Sequence, residues 1–381
     1  KNSRCSRPGC GLPNRSPCWD DTGVADMRRS ANDGRCMIGA RARRCKLGGF
    51  GANRDTVLLS CDDTLMAPTD DVDDDLHQRA YRAMDDGALD EASRLFGVLL
   101  ESSPTAVHYH YMKGLAHKFL LDWPTSLAHN LQAIALAEEP SDAEHWNAAI
   151  AATGVGDWAE ARRQWHACGV RVPDGDGPID DDYGVAAIRL HPWSGGETVF
   201  ARRIDPVRAR LLNVPLPESG HRFGDIVLHD GASTGQRHDG DRPVHVFNAL
   251  GRLHASDFQT FVVFVDAPGP EDVCSLLDAT APGIGYAEDW TDSIRYYCMR
   301  CSYGAPHRHR EQPAAAWQIE RNVGIAAQSR HSVDRLLREW AAAGPDRRVD
   351  AVEVRECAVP EYVHGHVWWQ SPDKEKKESG D

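Results

Sequence analysis

Four side chains near residue 300 have the types and spacing of a metal site. Cys298 and Cys301 form a Cys-x2-Cys pair, and His307 and His309 follow after a loop that contains glycine and proline. Protein-bound zinc usually takes four sulfur or nitrogen ligands in a tetrahedron. A Cys-x2-Cys pair at a strand end can direct both thiolates to one point, and the following turn can return the histidines to it. We therefore predict that these four residues bind zinc.

The number of ligands decides what such a zinc ion would do. Four protein ligands make a closed structural site, whereas three leave a position for a reactive water. A metal-dependent enzyme centred on this cluster is therefore an alternative to a structural site. The sequence contains no Gly-x-Ser-x-Gly elbow, phosphate-binding loop or dinucleotide fingerprint. It thus offers no catalytic residues elsewhere and favours a function other than catalysis.

Two weaker groups of residues could also carry chemistry. His229-Asp230 and His238-Asp239 are possible acid–base pairs, but we expect both in hairpin turns, where Asp and Gly serve backbone geometry. Four arginines between residues 202 and 210 form a basic patch. A solvent-facing strand explains that patch better than a nucleic-acid surface does.

The elements around the cysteine–histidine cluster predict an α+β domain over residues 259–357. Apolar β-type runs alternate with amphipathic helical segments in the order βαβ-βαβ, which is typical of a ferredoxin-like sandwich. That fold serves many functions and does not name one. The predicted strands cover residues 260–265, 294–298, 323–327 and 349–354, and the predicted helices cover residues 270–277 and 332–340.

A β-rich region precedes this domain. Short β-type runs between residues 185 and 247 are separated by turns rich in Gly, Pro and Asp. They predict a small antiparallel sheet or a partly open barrel over residues 175–258. An acidic, glycine-rich stretch over residues 174–182 leads into it, and its composition indicates a linker.

Residues from about 73 to 174 show an internal repeat. Gly87 and Gly156 each follow a helical segment, and they lie two periods of about 34 residues apart. Ala92 and Ala161 have the same separation. Glycine supplies the left-handed turn between two helices, and alanine lets the second helix pack closely. A degenerate copy lies between them, so three helical hairpins are predicted.

This pattern resembles the tetratricopeptide repeat (TPR) family over roughly 100 residues. The resemblance implies that the first helix of each hairpin lines a concave groove that binds a peptide or protein partner. By position, the groove residues would be His77, Tyr81, His108, Tyr111, Lys118 and Trp146. Family members that bind chaperone tails hold a carboxylate with Lys and Asn, and His77 and Tyr81 stand at those places here. A chaperone-tail receptor is therefore disfavoured. The alternative is that Tyr81 and Trp146 only fill space between helices.

The charge distribution limits the class of partner. The chain has 43 basic and 57 acidic side chains, a net charge of −14. Residues 1–65 carry 12 of the basic and 7 of the acidic side chains, so the remainder carries −19. An acidic surface disfavours nucleic acid and anionic membrane. It also allows a weaker alternative, an acidic immunity-type inhibitor of a basic protein.

The sequence as a whole predicts a multidomain α + (α+β) protein. Residues 1–65 form a disordered or non-native leader before Met66, residues 66–174 the TPR-like repeats, and residues 358–381 a tail. No run of apolar residues is long enough to cross a membrane. The scattered cysteines suggest reduced thiols and a cytoplasmic location. The predicted function is an intracellular adaptor that binds a peptide or protein through the TPR groove.

Overall fold

A computed structural model describes residues 70–194, 196–239, 242–294 and 316–363. The predicted leader, the predicted zinc ligands Cys298, Cys301, His307 and His309, and the tail after residue 363 lie outside the described residues. Helices come first along the chain, and a β-rich region with two sheets follows. The coarse prediction of helices followed by β-rich modules is therefore confirmed.

Six helices form the first part of the described chain, and consecutive helices pack on one another. Gly87 and Gly156 adopt the left-handed conformation, with φ of 75° and 84°, in the turns after the first and fifth helices. The helices are α1 (Asp70–Asp85), α2 (Leu89–Ser102), α3 (Val107–Phe119), α4 (Trp123–Leu136), α5 (Asp142–Val155) and α6 (Trp158–Ala167).

Small residues stand at buried positions between the packed helices. Ala92 on α2 and Ala161 on α6 are completely buried. A methyl group added at Gly114 would lie 2.7 Å from the amide nitrogen of Asn130 on the next helix. The repeat pattern selected Ala92, Gly114 and Ala161, and all three occupy packing positions. Larger side chains there would separate the helices.

Five strands form a closed barrel after the helices. They are β1 (Val185–Arg189), β2 (Thr198–Arg203), β3 (Arg208–Leu211), β4 (Ile226–Asp239) and β5 (Arg242–His254). Sequential neighbours pair antiparallel, and β1 closes the barrel by pairing parallel with β5. The sequence predicted a sheet or a partly open barrel. The barrel is closed because β1 pairs with both β2 and β5.

The long β4 corrects one sequence interpretation. His229 and Asp230 lie inside this strand and not in a hairpin turn. The register of the β4–β5 pairing shifts around His229 and Ser233, and regular pairing resumes beyond these irregularities. Such bulges let a strand tolerate turn-type residues while the ladder resumes beyond them.

A second sheet follows the barrel. Its elements are β6 (Gln259–Asp266), α7 (Pro270–Leu277), β7 (Ile284–Asp289), α8 (Trp290–Ser293), β8 (Glu320–Ala327), α9 (Arg330–Ala342) and β9 (Arg348–Val354). The strand order is β7-β8-β6-β9, with antiparallel neighbours throughout. Strand β7 was not predicted. The strand predicted at residues 294–298 lies almost entirely outside the described residues.

The two faces of the second sheet have different neighbours. Phe261 and Val263 share a core with apolar residues of α7 and α9, among them Trp340. On the opposite face, Val262 clusters with Trp290 and with Val214, which lies between β3 and β4. The sheet is therefore packed against the barrel connection on one side and its own helices on the other.

The helices and the barrel share one hydrophobic core. Val207, Leu228 and Leu250 of the barrel region belong to the same buried cluster as Ile150 and Trp165 of the helices. The acidic stretch between them is held in this core by Ile179, which is completely buried. None of the helices in the described ranges is both long and apolar enough to cross a membrane.

Candidate functional site

The predicted groove residues fall into two groups. His77 and Tyr81 of α1 gather with His108 and Tyr109 at the start of α3. We name these four residues the aromatic–histidine surface. Tyr111, Lys118 and Trp146 form the second group, toward α5 and the barrel.

Ring contacts and one hydrogen bond organise the aromatic–histidine surface. The ring centroids of His77 and Tyr81 are 4.6 Å apart, and those of His108 and Tyr109 are 4.0 Å apart. The Nδ1 of His77 lies 3.1 Å from the hydroxyl oxygen of Tyr109. His108 is exposed, and the other three side chains are half-buried. The surface thus presents flat rings and hydrogen-bonding groups to solvent.

Burial keeps part of this surface uncharged near neutral pH. Although the His108 side chain reaches solvent, desolvation by the atoms packed around its ring lowers its pKa, and the neighbouring His77 adds to that effect. Burial also raises the pKa of Tyr81, with a smaller contribution from Tyr109. A neutral imidazole and a protonated phenol both donate and accept hydrogen bonds. These two rings therefore suit polar and aromatic contacts.

No feature of the sequence singles out Tyr109. It lies in a run of alternating histidine and tyrosine, His108-Tyr109-His110-Tyr111, in which every position is a candidate. Only the rotation of α3 against α1 brings its hydroxyl to His77. No pattern within α3 alone could have distinguished it from its neighbours.

The second group is hydrogen-bonded to the barrel through Lys118. The Nζ of Lys118 donates to Oδ1 of Asp230 on β4 at 2.8 Å and to Oδ1 of Asn147 at 3.1 Å. The Lys118 and Asp230 side chains are only 6% and 9% exposed. The Nδ2 of Asn147 donates to the hydroxyl of Tyr111 at 3.3 Å. Burial raises the pKa of Tyr111 to about 12, so its hydroxyl stays protonated within the network.

Trp146 also contacts the barrel. A methyl group added at Gly231 would lie 1.7 Å from Nε1 of Trp146, so the indole lies directly against the β4 backbone. The same indole makes an edge contact with Trp165, with ring centroids 4.9 Å apart. Residues Asp230 and Gly231 of β4 therefore occupy the space beside Lys118 and Trp146.

His229 and Asp230 do not form an acid–base pair. The Asp230 carboxylate holds Lys118, and Nδ1 of His229 lies 2.8 Å from the backbone carbonyl oxygen of Asp230. The His229 ring is completely buried and stacks on Phe247. Burial lowers the pKa of His229 to about 4, so it is neutral at physiological pH. The side chains of His238 and Asp239 lie outside the described residues.

Two arginines of the predicted basic patch, Arg202 and Arg208, bind acidic partners within the protein. The Nε of Arg208 donates to Oδ2 of Asp205 at 2.5 Å, and both residues are buried. Its guanidinium also lies over the Trp158 ring. Arg202 pairs with Asp182. These pairs neutralise Arg202 and Arg208 locally, but Arg208 is buried and does not lie on the solvent face that the sequence interpretation expected.

Two glutamates that the sequence did not single out hold the connection between β3 and β4. The backbone nitrogen of Leu216 donates to Glu197 at 3.1 Å, and that of Val214 donates to Glu288 at 3.0 Å. Burial raises the pKa of Glu197 to about 8, with a further contribution from Glu288, and burial also raises the pKa of Glu288. Isolated glutamates in a sequence carry no signal of this pairing.

A cleft of about 190 Å³ lies beside this connection. Leu216 and Pro217 of the connection line it, together with Phe264 and Trp290 of the second sheet region. The Nε1 of Trp290 donates to the carbonyl oxygen of Val214 at 3.0 Å. The cleft is mostly apolar, and the two glutamates brace its wall.

The described residues contain no group of three or more His, Cys, Asp or Glu side chains arranged to hold a metal ion. The predicted zinc ligands lie outside those residues, so zinc binding by Cys298, Cys301, His307 and His309 stays a prediction.

A comparison of the chain with models of known protein families and with curated proteins finds no match.

Proposed function

We propose that this chain is a protein-interaction scaffold of the TPR type and that it binds a peptide through the aromatic–histidine surface. The observation that carries the proposal is the clustering of His77, Tyr81, His108 and Tyr109 on two first helices. Flat rings with hydrogen-bonding tips are enriched at protein interfaces, because they cover a large area at a small entropic cost.

The repeat assignment is supported by the helical packing. Consecutive described helices pack on one another, with left-handed glycines at two of the three hairpin turns. Alanines at matching positions of α2 and α6 are buried. Repeat stacks of this kind present a continuous inner face to a ligand.

The C-terminal modules have a supporting role in this proposal. We assign a ferredoxin-like topology to the second sheet, supported by its strand order and by α7 and α9 after its first and third strands. The barrel covers the inner face beside Lys118 and Trp146. The peptide would therefore bind at the α1–α3 end of the stack.

The charge after residue 65 favours a basic partner. A net charge of −19 attracts a cationic protein over long range and accelerates its association, and salt screens this attraction. The same charge supports a second candidate function, an acidic inhibitor that neutralises a basic protein. The two functions differ in which residues matter. A scaffold depends on the aromatic–histidine surface, whereas a charge-driven inhibitor does not.

Selection of peptides from a random phage library on the full chain tests the scaffold. The selected peptides should bind the wild type and lose at least tenfold in affinity on His77→Ala and on His108→Ala. His166→Ala is the matched control, because His166 is an exposed histidine on α6. This variant should bind like the wild type.

Two outcomes contradict the scaffold. One is that no peptide is enriched over an uncoated surface. The other is that every selected peptide binds the His77, His108 and His166 variants equally well. Binding that vanishes at high salt but ignores the His77 and His108 variants would support the charge-driven inhibitor.

A further inference from the structure

Two histidines on neighbouring helices approach each other through ring nitrogens. His110 lies on α3 and His129 on α4, and their Nδ1 atoms are 3.0 Å apart. Both side chains are half-buried at the surface of the second hairpin. They lie outside the aromatic–histidine surface, and the proposed function does not use them.

The tautomer of His110 is set by a backbone carbonyl. Its Nε2 lies 3.1 Å from the carbonyl oxygen of Pro104. A carbonyl can only accept, so Nε2 carries the hydrogen and Nδ1 presents its lone pair to His129. Metal-binding histidines are typically held in this way, with the second ring nitrogen donating to a carbonyl or carboxylate.

The separation of the two nitrogens matches one coordination geometry. Metal–imidazole bonds are about 2.0–2.1 Å long, so nitrogens 3.0 Å apart would subtend about 95° at a shared metal. A tetrahedral ion prefers about 110°, whereas adjacent positions of a tetragonal ion lie about 90° apart. The pair therefore fits Cu²⁺ or Ni²⁺ better than Zn²⁺.

We propose that His110 and His129 form a transition-metal site that takes Cu²⁺ or Ni²⁺ through two adjacent imidazole nitrogens, with water at the other positions. Without metal, Nδ1–H of His129 donates to Nδ1 of His110. When the metal binds, the hydrogen on His129 moves to its Nε2 and both Nδ1 lone pairs face the ion. No net proton is released in this step, because the hydrogen stays on the His129 ring.

The surroundings are consistent with two protein ligands. His117 stacks near His129 with ring centroids 6.4 Å apart, but its nitrogens are engaged by Asp122 at 3.0 Å and Ser93 at 2.8 Å. Burial lowers the pKa of His129 to about 4, and the charge of Lys113 contributes. The imidazole is therefore neutral and able to ligate at pH 7, while Lys113 opposes an incoming cation.

Titration with Ni²⁺ of the full chain carrying Cys298→Ser and Cys301→Ser, which removes two of the predicted zinc ligands from every variant compared, tests the site by calorimetry and by melting temperature. Ni²⁺ should raise the melting temperature of this reference chain, because a ligand that binds only the folded state stabilises it. His110→Asn and His129→Asn should each weaken this binding by about tenfold or more. His166→Asn controls for loss of a surface histidine, and it should leave the binding unchanged.

Lys113→Gln should tighten Ni²⁺ binding, because it removes a nearby positive charge. A gain in affinity cannot result from misfolding, so this variant complements the histidine variants, in which binding is lost. Cu²⁺ should bind more tightly than Ni²⁺ at the same site, as the general affinity order requires. Undiminished Ni²⁺ binding in either His110→Asn or His129→Asn, with circular dichroism like the reference chain, would overturn the proposal. Weaker binding in Lys113→Gln than in the reference chain would also count against it.

Discussion

At the scale of single residues, the pair of Lys118 and Asp230 joins two modules that are far apart in sequence. The two side chains are nearly inaccessible to solvent, and Asn147 completes the hydrogen bonding of the ammonium group. Buried charges are tolerated only when they are paired and hydrogen-bonded. Removal of one partner therefore leaves the other in an apolar site.

Lys118→Met should lower the free energy of unfolding by about 3–5 kcal/mol, because it leaves the Asp230 carboxylate buried without a counter-charge. The double variant Lys118→Met/Asp230→Asn should recover part of this loss, since no unpaired charge remains. Urea denaturation of the wild type, both single variants and the double variant measures the coupling. Equal stability of Lys118→Met and the wild type would show that the pair does not hold the modules together.

Glu197 gives the stability a pH dependence with a defined sign. Its pKa is raised to about 8 in the folded chain, above its ordinary value of 4.5, so folding favours the protonated form. This contribution is fully present below about pH 4.5 and is lost as pH rises toward about 8.

Glu197→Gln should therefore reduce the fall in melting temperature between pH 5 and pH 8.5, because the amide cannot ionise and still accepts from the Leu216 nitrogen. Glu101→Gln, at an exposed position of α2, is the control and should retain the wild-type pH profile. Melting curves at half-unit pH intervals make the comparison. An identical slope in Glu197→Gln and the wild type would mean that Glu197 is ionised throughout this range.

At the scale of elements, close helix crossings depend on small side chains at set positions. Ala161 of α6 is completely buried, whereas Ala159, two residues earlier on the same helix, is exposed. The same substitution at Ala159 and Ala161 changes helix propensity by nearly the same amount. Any difference in stability between the two variants therefore reports the packing at Ala161.

Ala161→Trp should abolish cooperative folding of the helices or destabilise them by more than the ~1–3 kcal/mol typical of added methylenes. Ala159→Trp should change the free energy of unfolding by roughly 0.5 kcal/mol, as exposed substitutions do. Helical circular dichroism during thermal unfolding reports both. A normal melting curve for Ala161→Trp would refute the repeat register on which the groove residues were assigned.

At the scale of the whole molecule, the barrel and the helices form one folded body through a shared core. Trp146 lies so close to Gly231 that no side chain larger than glycine fits there without a shift. Gly251, on the neighbouring strand β5, has no atom within 4 Å of an added methyl group. Substitution of Gly231 therefore tests the contact between the barrel and the helices, and the same substitution of Gly251 is a control within the barrel.

Gly231→Ala should destabilise the chain by about 1–3 kcal/mol, because the new methyl group forces Trp146 or β4 to move. Gly251→Ala should stay within about 1 kcal/mol of the wild type. Chemical denaturation followed by both circular dichroism and tryptophan fluorescence gives the two values. If the variants are equally stable, the contact between β4 and α5 contributes nothing to the fold.

The sequence by itself determined the local elements of this protein. The spacing of Gly87, Ala92, Gly156 and Ala161 indicated helical hairpins, and apolar runs located β1 and β6, because turns, caps and hydrophobic period are encoded within a few residues. The residues of the aromatic–histidine surface were named from that register, apart from Tyr109. Strand β7 and the full length of β4 were missed, since glycine and acidic residues interrupt their β pattern.

Only the tertiary structure decided which side chains face a partner and which face the chain itself. Lys118 was assigned to an open groove, but Asp230, which is 112 residues away, binds it in a buried site. Glu197 acquired its raised pKa from burial and from Glu288 on a different sheet. Burial and charge pairing depend on residues that are distant in sequence. No local period or spacing encodes them. The packing of the barrel on the helices therefore determined that Lys118 is buried and paired and does not face a groove.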